Sequence, residues 1–177
     1  MKAARVLSIP VRAWRRLRRS VRRRYYTWRV RNQAASAGEG LRVNGASSVS
    51  RTTRIGNNVH FNGMLIMGVG EVTIGDNFHS GAECVIISEI HDYEGGALPY
   101  DATRIPRPVQ IGDNVWLGYR VMVLGGVTIG DGAIIQAGSV VVRSIPPHAI
   151  AGGHPANVFG SRDVERYRRL LTERKFT

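Results

Sequence analysis

Residues that could carry out acid–base chemistry are concentrated in one stretch of the chain, between Ile86 and Pro108. The stretch is rich in polar, aromatic and glycine residues, and it holds His91 together with the carboxylates of Asp92 and Asp101. An imidazole titrates near neutral pH and can therefore remove a proton from a hydroxyl group. A histidine in an exposed loop can equally have no task, so residue types alone leave two interpretations open, a catalytic base and a solvated side chain.

The scaffold that must position this stretch is a sequence repeat. The tetrad Ile-Gly-(Asp/Asn)-(Asn/Gly) occurs four times, beginning at Ile55, Ile74, Ile111 and Ile129. The spacings of 19, 37 and 18 residues correspond to one, two and one turns of a coil of about 18 residues, with a slip of one residue in each of the first two intervals.

Over the C-terminal coils the period shortens to six residues. Aliphatic side chains recur at Ile111, Leu117, Val123, Ile129, Ile135 and Val141. A second small or apolar residue lies two positions before each of them, at Val109, Val115, Val121, Val127, Ala133 and Ser139. Helices repeat every 3.6 residues and strands every 2, so the pattern favours a solenoid with three short flat sides over a β-sandwich with glycine-rich turns.

About five coils are expected from this phase. It can be followed back through Ile74, Ser80 and Ile86 and, more weakly, through Ile55, Phe61 and Met67. The single cysteine, Cys84, lies two positions before Ile86, so the phase predicts a buried structural thiol. One cysteine excludes a disulfide framework and a cysteine-based zinc site.

The charge of the chain is confined to its N-terminal end. The formal net charge is +12; residues 1–32 hold 12 basic residues and no acidic one, whereas residues 33–177 hold 13 of each sign. The chain has neither an apolar run long enough to cross a membrane nor the apolar segment of a secretory signal. A cytoplasmic protein is therefore expected.

Four segments are predicted. Residues 1–32 form a basic amphipathic arm, 33–40 a flexible linker, 41–160 the repeat with a loop extruded at 87–108, and 161–177 a short C-terminal helix. The arm carries one apolar stripe at helical spacing, formed by Trp14, Leu17, Val21, Tyr25 and Trp28. Such a helix can lie on an anionic membrane surface at the inner membrane face, or pack on the solenoid or a neighbouring subunit; nucleic acid is the least favoured partner.

The hexads resemble those of the left-handed parallel β-helix acyltransferases, a family of hexapeptide-repeat proteins. The resemblance covers about residues 41–160 and is strongest over PVQIGDNVWLGYRVMVLGGVTIGDGAIIQAGSVVVRSIPPHAIAGGHPANV, residues 108–158. The chain looks like the branch that contains the maltose, nodulation-factor and polysaccharide O-acetyltransferases. The resemblance implies an all-β, left-handed parallel β-helix, a homotrimer and active sites between subunits.

The resemblance also implies a reaction. The related acetyltransferases carry their catalytic histidine at the start of the extruded loop, where this chain has His91. We expect His91 to act as general base while an acceptor hydroxyl attacks the thioester of acetyl-CoA directly, without a covalent acyl-enzyme. Backbone amides near Gly118 are expected to stabilise the oxyanion.

Donor and acceptor contacts follow from the same resemblance. The acetyl-CoA candidates are Gly118, Arg120, Gly138, Arg143 and Pro147. The acceptor candidates are Glu83, Asp92, Tyr93, Trp116 and His79. Arg104 stands near the place where relatives carry a glutamate, so the group that orients His91 stays open.

The predicted activity is O-acetylation of a sugar hydroxyl in polysaccharide or glycan synthesis, with acetyl-CoA as co-substrate and no metal. Alternatives on the same scaffold are a xenobiotic or amino-sugar N-acetyltransferase and a non-enzymatic trimeric module at a membrane surface. A γ-type carbonic anhydrase is excluded because its zinc site needs two histidines five residues apart. The histidines here are separated by 19, 12, 57 and 6 residues.

Overall fold

The computed structural model describes residues 11–177, with side chains from residue 13 onward. Two helices, α1 (Val11–Gln33) and α2 (Val164–Thr172), flank a body of short strands. The strands are β1 (Ser36–Ala37), β2 (Arg42–Val43), β3 (Thr53–Ile55), β4 (His60–Phe61), β5 (Met64–Met67), β6 (Val72–Ile74), β7 (His79–Ser80), β8 (Cys84–Ile87), β9 (Glu89–His91), β10 (Arg104–Pro106), β11 (Val109–Ile111), β12 (Trp116–Leu117), β13 (Met122–Val123), β14 (Thr128–Ile129), β15 (Ile134–Ile135), β16 (Val140–Val141), β17 (Ala149–Gly153) and β18 (Ala156–Ser161).

The strands form the three sides of a prism. Sheet A contains β1, β3, β6, β11 and β14; sheet B contains β2, β4, β7, β12, β15 and β17, with β18 added antiparallel; sheet C contains β5, β8, β13 and β16. All other pairings within these three sheets are parallel, and each joins one coil to the next. The chain therefore winds through five complete coils, which agrees with the expected number.

The six-residue period is an interior stacking period. All twelve hexad positions named from the sequence between Val109 and Val141 are buried. In sheet A, Ile55 pairs with Ile74, Ile74 with Ile111, and Ile111 with Ile129. The predicted burial of Cys84 is also confirmed, and its Sγ lies 3.1 Å from the carbonyl oxygen of Gly118.

The Ile-Gly-Asp tetrads link one coil to the next at the edge between sheets A and B. The amide of Asp76 donates to Oδ1 of Asp113 over 2.7 Å, and the amide of Asp113 donates to Oδ1 of Asp131 over 2.8 Å. Glycine precedes each aspartate because a β-carbon on Gly75 or Gly112 would overlap the aspartate oxygen of the following coil. The tetrad thus makes a side-chain ladder along this edge.

Two expectations differ from the structure. Met67 does not point inward but is 40% exposed, and Ile66 takes the interior place, paired with Ile86; the second coil is shortened by one residue between sheets B and C. Residues 33–40 are not a flexible link, since β1 pairs with β3 and the amide of Ala35 donates to the carbonyl of Thr53. The β-helix therefore begins at Ser36.

The helices contact different parts of the prism. Helix α1 contacts the first coil only near its C-terminal end, where Val30 is fully buried and Thr27 Oγ1 accepts a hydrogen bond from the amide of Val43. Helix α2 begins at the N-cap Asp163 and lies along the A–B edge, where the Tyr167 hydroxyl accepts a hydrogen bond from Asn114. Among residues 11–177, no helix is long and apolar enough to cross a membrane.

Truncation of an interior side chain should show that this stacking supplies the stability. Ile129 is fully buried between β11 and the bridge to Ile145, so Ile129→Ala is expected to lower the free energy of unfolding by about 2–5 kcal/mol. Denaturant unfolding would measure the change. The adjacent Thr128→Ala, on the exposed outer side of the same strand, is the matched control and should change it by less than about 0.5 kcal/mol. Equal losses in both variants would contradict the interior stacking.

Candidate active site

The aperiodic stretch leaves the prism at the edge between sheets C and A. Its base is fixed by the buried Ser88, whose hydroxyl donates to the carbonyls of Met67 and Gly70 and whose carbonyl accepts from the amide of Arg107. Beyond this anchor, β9 and β10 pair antiparallel and place Arg104 opposite His91. The hairpin thus holds His91 just outside the C–A edge.

His91 is positioned by an aromatic stack. Its ring lies against Tyr100, with centroids 4.0 Å apart and planes 20° apart. Its Nδ1 is buried and has no hydrogen-bond partner among the described residues. The sequence interpretation missed Tyr100, because a spacing of nine residues across a loop does not indicate a contact.

No carboxylate orients His91 within the described chain. Glu89 binds Arg104 at 3.4 Å and accepts a hydrogen bond from the amide of Val69. The side chain of Asp92 caps the amide of Glu94. These carboxylates shape the hairpin, and they leave His91 to the stack alone.

Asp101 has a similar structural role. Its carboxylate accepts hydrogen bonds from the amides of Gly96 and Thr103, and these bonds, led by that of Gly96, lower the pKa of Asp101 below its ordinary value. Asp101 therefore closes the loop instead of contacting His91. Tyr93, predicted to contact the acceptor, is exposed at the same loop.

The outer face of sheet C, which borders the β9–β10 hairpin, is apolar. Its outward side chains are Leu65, Met67, Val85, Ile87, Met122, Leu124, Val140 and Val142. The outer face of sheet A is polar by contrast, with Arg54, Thr73, Gln110 and Thr128. A contiguous apolar face of this kind marks a contact surface, and His91 lies at its edge.

The predicted acetyl-CoA residues lie on all three edges of one protomer. Gly118, Arg120 and Gly138 lie between sheets B and C, Arg143 between C and A, and Pro147 between A and B. A single protomer therefore does not bring the five together. The amide of Gly118 donates to the carbonyl of Ile135 over 2.8 Å, so this amide is not free for an oxyanion.

The B–C edge has a column of left-handed backbone conformations. Glu83, Arg120 and Gly138 follow one another in successive coils with φ of 59°, 55° and 72°. Glycine adopts this angle without strain, whereas Glu83 and Arg120 adopt it with a side chain, and the space where a β-carbon of residue 138 would stand is open. The column leaves a smooth surface at Gly138, as expected for a position that a ligand approaches closely.

Glu83 and Arg120 bind each other instead of standing free. Arg120 Nε lies 2.7 Å from Glu83 Oε2, and this hydrogen bond lowers the pKa of the Glu83 carboxyl. The pair was predicted as one acceptor contact and one CoA contact. A ligand charge at either residue would have to compete with the partner already bound.

Trp116 and His79 line a different cavity. They are paired neighbours on the outer face of sheet B, and with α2 and the C-terminal tail they enclose about 420 Å³. The other lining residues are Asn77, Asn114, Val115, Arg162, Tyr167, Leu170, Leu171, Lys175, Phe176 and Thr177. Burial raises the pKa of the Tyr167 hydroxyl. The sequence did not indicate this cavity, because α2 and the strands of sheet B that line it are far apart along the chain.

His60, beneath His79, should make stability depend on pH. Its ring lies 5.5 Å from that of His79, and burial first, then Arg42 and His79, lowers its pKa below the ordinary 6.5. As pH falls through 6.5, the unfolded chain takes up a proton that the folded chain resists, so stability falls.

The variant His60→Gln is therefore expected to lose less stability between about pH 8 and about pH 5, by about 1.4 kcal/mol for each unit of lowered pKa. Thermal unfolding across this range would measure the difference. His154→Gln, at an exposed histidine, should keep the wild-type slope. An unchanged slope in His60→Gln would contradict the assignment.

Metal binding has no evident place in the described part of the chain. Within residues 11–177, no three His, Cys, Asp or Glu side chains are grouped so that they could hold a metal ion. Burial raises the pKa of the Cys84 thiol, so this side chain is unsuited to act as a thiolate nucleophile.

Comparison with known proteins places the chain among repeat proteins. The family profile "Bacterial transferase hexapeptide (six repeats)" matches residues 108–143. The chain belongs to the hexapeptide-repeat transferases. Its fold matches the left-handed β-helix of this family, so the all-β class and the handedness implied by the resemblance are confirmed.

Individual relatives of this transferase family support the assignment. A Schizosaccharomyces pombe protein named as an acetyltransferase is 38% identical over 57% of this chain and 52% of its own length. The galactoside O-acetyltransferase of Escherichia coli K12 is 35% identical over 68% of this chain and 61% of its own length. The chain therefore spans less than two thirds of these curated relatives. A solved galactoside acetyltransferase in complex with coenzyme A is 29% identical, with a TM-score of 0.67 over 90% of this chain and 76% of that one.

Proposed function

We propose that the protein is an acetyl-CoA-dependent O-acetyltransferase that acetylates a sugar hydroxyl. The observation that carries the proposal is the placement of His91, stacked on Tyr100 at the edge of an apolar outer face of a hexapeptide-repeat prism. Relatives named for galactoside and maltose O-acetylation support the acceptor class. A structure in complex with coenzyme A supports the donor.

The proposed reaction needs one base and no covalent enzyme intermediate. His91 removes the proton of the acceptor hydroxyl as its oxygen forms a bond to the thioester carbonyl carbon. The carbon–sulfur bond then breaks, and the imidazolium returns the proton to the leaving thiolate. The products are the acetate ester and free CoA. Tyr100 holds the imidazole ring in place throughout.

The oxyanion of the tetrahedral intermediate needs a fixed donor. The amide of Tyr119 is the proposed one, because within the described chain it makes no hydrogen bond, whereas the neighbouring Gly118 amide is occupied. CoA is proposed to lie along the coils that carry Gly138, Arg143 and Pro147. Arg120 is proposed to bind a CoA phosphate that displaces Glu83 from its guanidinium group.

The proposed enzyme is a homotrimer with shared sites. The predicted donor residues stand on three different edges, and Trp116 and His79 lie on the outer face of sheet B, away from His91 on the C–A edge. A second copy packed on the apolar face of sheet C would bring its own edges next to His91. A trimer closes such a contact without leaving an unsatisfied apolar face.

The proposed acceptor is a carbohydrate. Trp116 offers a flat aromatic surface that is half exposed, and Glu83, Asp92, Tyr93 and His79 offer polar groups that can bind hydroxyls. A glycan made at the inner membrane face fits the basic N-terminal arm. The proposed location is accordingly cytoplasmic and peripheral to that membrane, where acetyl-CoA is available.

An acceptor panel tests the proposal. The purified protein would be incubated with acetyl-CoA and with matched sugars that carry hydroxyls only or one amino group, and mass spectrometry would look for the gain of one acetyl group. Acetylation of the hydroxyl sugars supports the proposal. Acetylation confined to the amino sugar would establish an N-acetyltransferase instead. A lack of transfer together with no thermal stabilisation by acetyl-CoA would favour a non-enzymatic module.

A further inference from the structure

The apolar stripe of α1 has no partner within residues 13–177. Its five side chains are 50–62% exposed, although two are tryptophans and one is a tyrosine. Among the described residues, the packing of the helix on the prism lies at its C-terminal end, through Val30 and Thr27. About three turns of the helix therefore extend from the prism with their apolar side uncovered.

The polar side of α1 carries uncompensated positive charge. Its arginines form no ion pair within the described residues, and the first acidic residue of the chain is Glu39. Two arginines lie over aromatic rings of the helix: Arg18 is 5.4 Å from the ring centre of Trp14, and Arg22 is 5.8 Å from that of Tyr26. One cationic group therefore borders the exposed Trp14, and a second borders the half-buried Tyr26.

A basic groove lies where α1 meets the first coil. It is lined by Arg23, Arg24, Arg31 and Arg42, with Thr27, Trp28 and Leu41, and its volume is about 630 Å³. Arg31 donates hydrogen bonds to the carbonyls of Ala37 and Gly38, which hold its guanidinium at the wall. Four guanidinium groups around one concave surface suit a phosphate group.

We propose that α1 docks the protein on an anionic lipid bilayer. The stripe enters the headgroup region with Trp14, Tyr25 and Trp28 at the interface, and the groove receives a lipid phosphate. Arginines lie on both flanks of the stripe, so anionic headgroups meet charge and apolar surface at once.

Two other occupants fit the observations less well. A second copy of α1 would place arginine against arginine along the flanks of the stripe, which like-charge repulsion disfavours. Nucleic acid would satisfy the arginines but would leave Leu17 and Val21 in water. A bilayer surface satisfies both features.

This inference rests on the proposed location but not on the proposed reaction. Full-length protein would be sedimented with vesicles of phosphatidylcholine alone and of equal parts phosphatidylcholine and phosphatidylglycerol. Binding is expected only to the anionic vesicles, with weakening as salt is raised. Arg23→Gln with Arg24→Gln should weaken binding by about tenfold or more, and Tyr25→Ala with Trp28→Ala should weaken it at every salt concentration.

A double variant on α2 provides the control. Arg168→Gln with Arg169→Gln removes the same charge from an exposed helix and should bind as the wild type does. Wild-type binding by the α1 variants, equal binding to neutral vesicles, or stripe variants that change the oligomeric state would each overturn the inference. Competition by duplex DNA at equal phosphate concentration would overturn it in favour of nucleic acid. Activity on a water-soluble acceptor without vesicles should be unchanged in every variant, so its loss would bear on the reaction only.

Discussion

Replacement of His91 by alanine is expected to lower kcat/KM for acetyl transfer by about 100- to 10,000-fold. The variant keeps the hairpin backbone but loses the group that accepts the hydroxyl proton. An alcohol that keeps its proton during the attack is a poor nucleophile. Steady-state rates of CoA release, measured with the acceptor identified from the panel, would give the change. Stabilisation by acetyl-CoA in a thermal shift should persist, because His91 is not assigned a role in donor binding.

Tyr100 provides the matched control for this experiment. Tyr100→Phe keeps an aromatic ring against the imidazole and should retain most of the activity. Tyr100→Ala removes the stack and should lower kcat more than it raises KM, since it disturbs the position of the base. Normal turnover by His91→Ala would remove the imidazole from the mechanism. Loss of acetyl-CoA binding in that variant would show that the β9–β10 hairpin belongs to the donor site.

The scaffold could be predicted because its interior repeats the same contact. A residue such as Leu117 is flanked by Ser80 and Ile135 at the same position of the neighbouring coils. One buried side chain every six residues is therefore enough to fix the phase of the repeat. The predicted phase was wrong at Met67, because the step from sheet B to sheet C is one residue shorter in the second coil. All four residues of Met64–Met67 are apolar, so the run fits either register, and only the pairing with β8 decides which side chains point inward.

The predicted boundary between linker and repeat differs from the structure for a related reason. At the inward position of the phase, residues 33–40 have only Ala37, which is smaller than the aliphatic residues of the other coils, so the sequence predicted a linker there. The structure places Ala37 opposite Ile55 at the end of the prism, where Val30 and Tyr26 of α1 cover the first coil. This end is covered by a helix instead of by another coil, so a small residue suffices at Ala37, whereas the rest of the first coil keeps the six-residue period at the buried Val43 and Val49.

The candidate site was predictable in part. The absence of the six-residue period indicated a loop at residues 87–108, and the resemblance singled out His91. The stack with Tyr100, the Glu83–Arg120 pair and the cavity under α2 join residues that are 9, 37 and 51 positions apart, and no local pattern encodes such contacts. The apolar face of sheet C was visible in the sequence as outward positions such as Val85 and Met122, but it gained meaning only when it was seen to border His91.

A charge on this face should therefore abolish both assembly and activity. The double variant Leu65→Glu and Met67→Glu is expected to change the mass in solution from that of three chains to that of one, as measured by light scattering. Both side chains are 40% exposed in the protomer, so the charges remain hydrated there and the prism should still fold. In the proposed trimer each carboxylate would be buried without a partner, at a cost of several kcal/mol per charge, and the substitution would recur at all three interfaces.

Activity should fall with assembly, because the proposed donor edges and His91 come together only between copies. The control is Gln110→Glu, a charge added to the polar outer face of sheet A, which should leave mass and turnover unchanged. Circular dichroism would verify that the double variant retains its β-helix. A trimer that persists in the double variant would place the interface on another face. A monomer with full activity would show that one protomer contains the whole site, and the edges assigned to CoA would then have to be reassigned to a single groove.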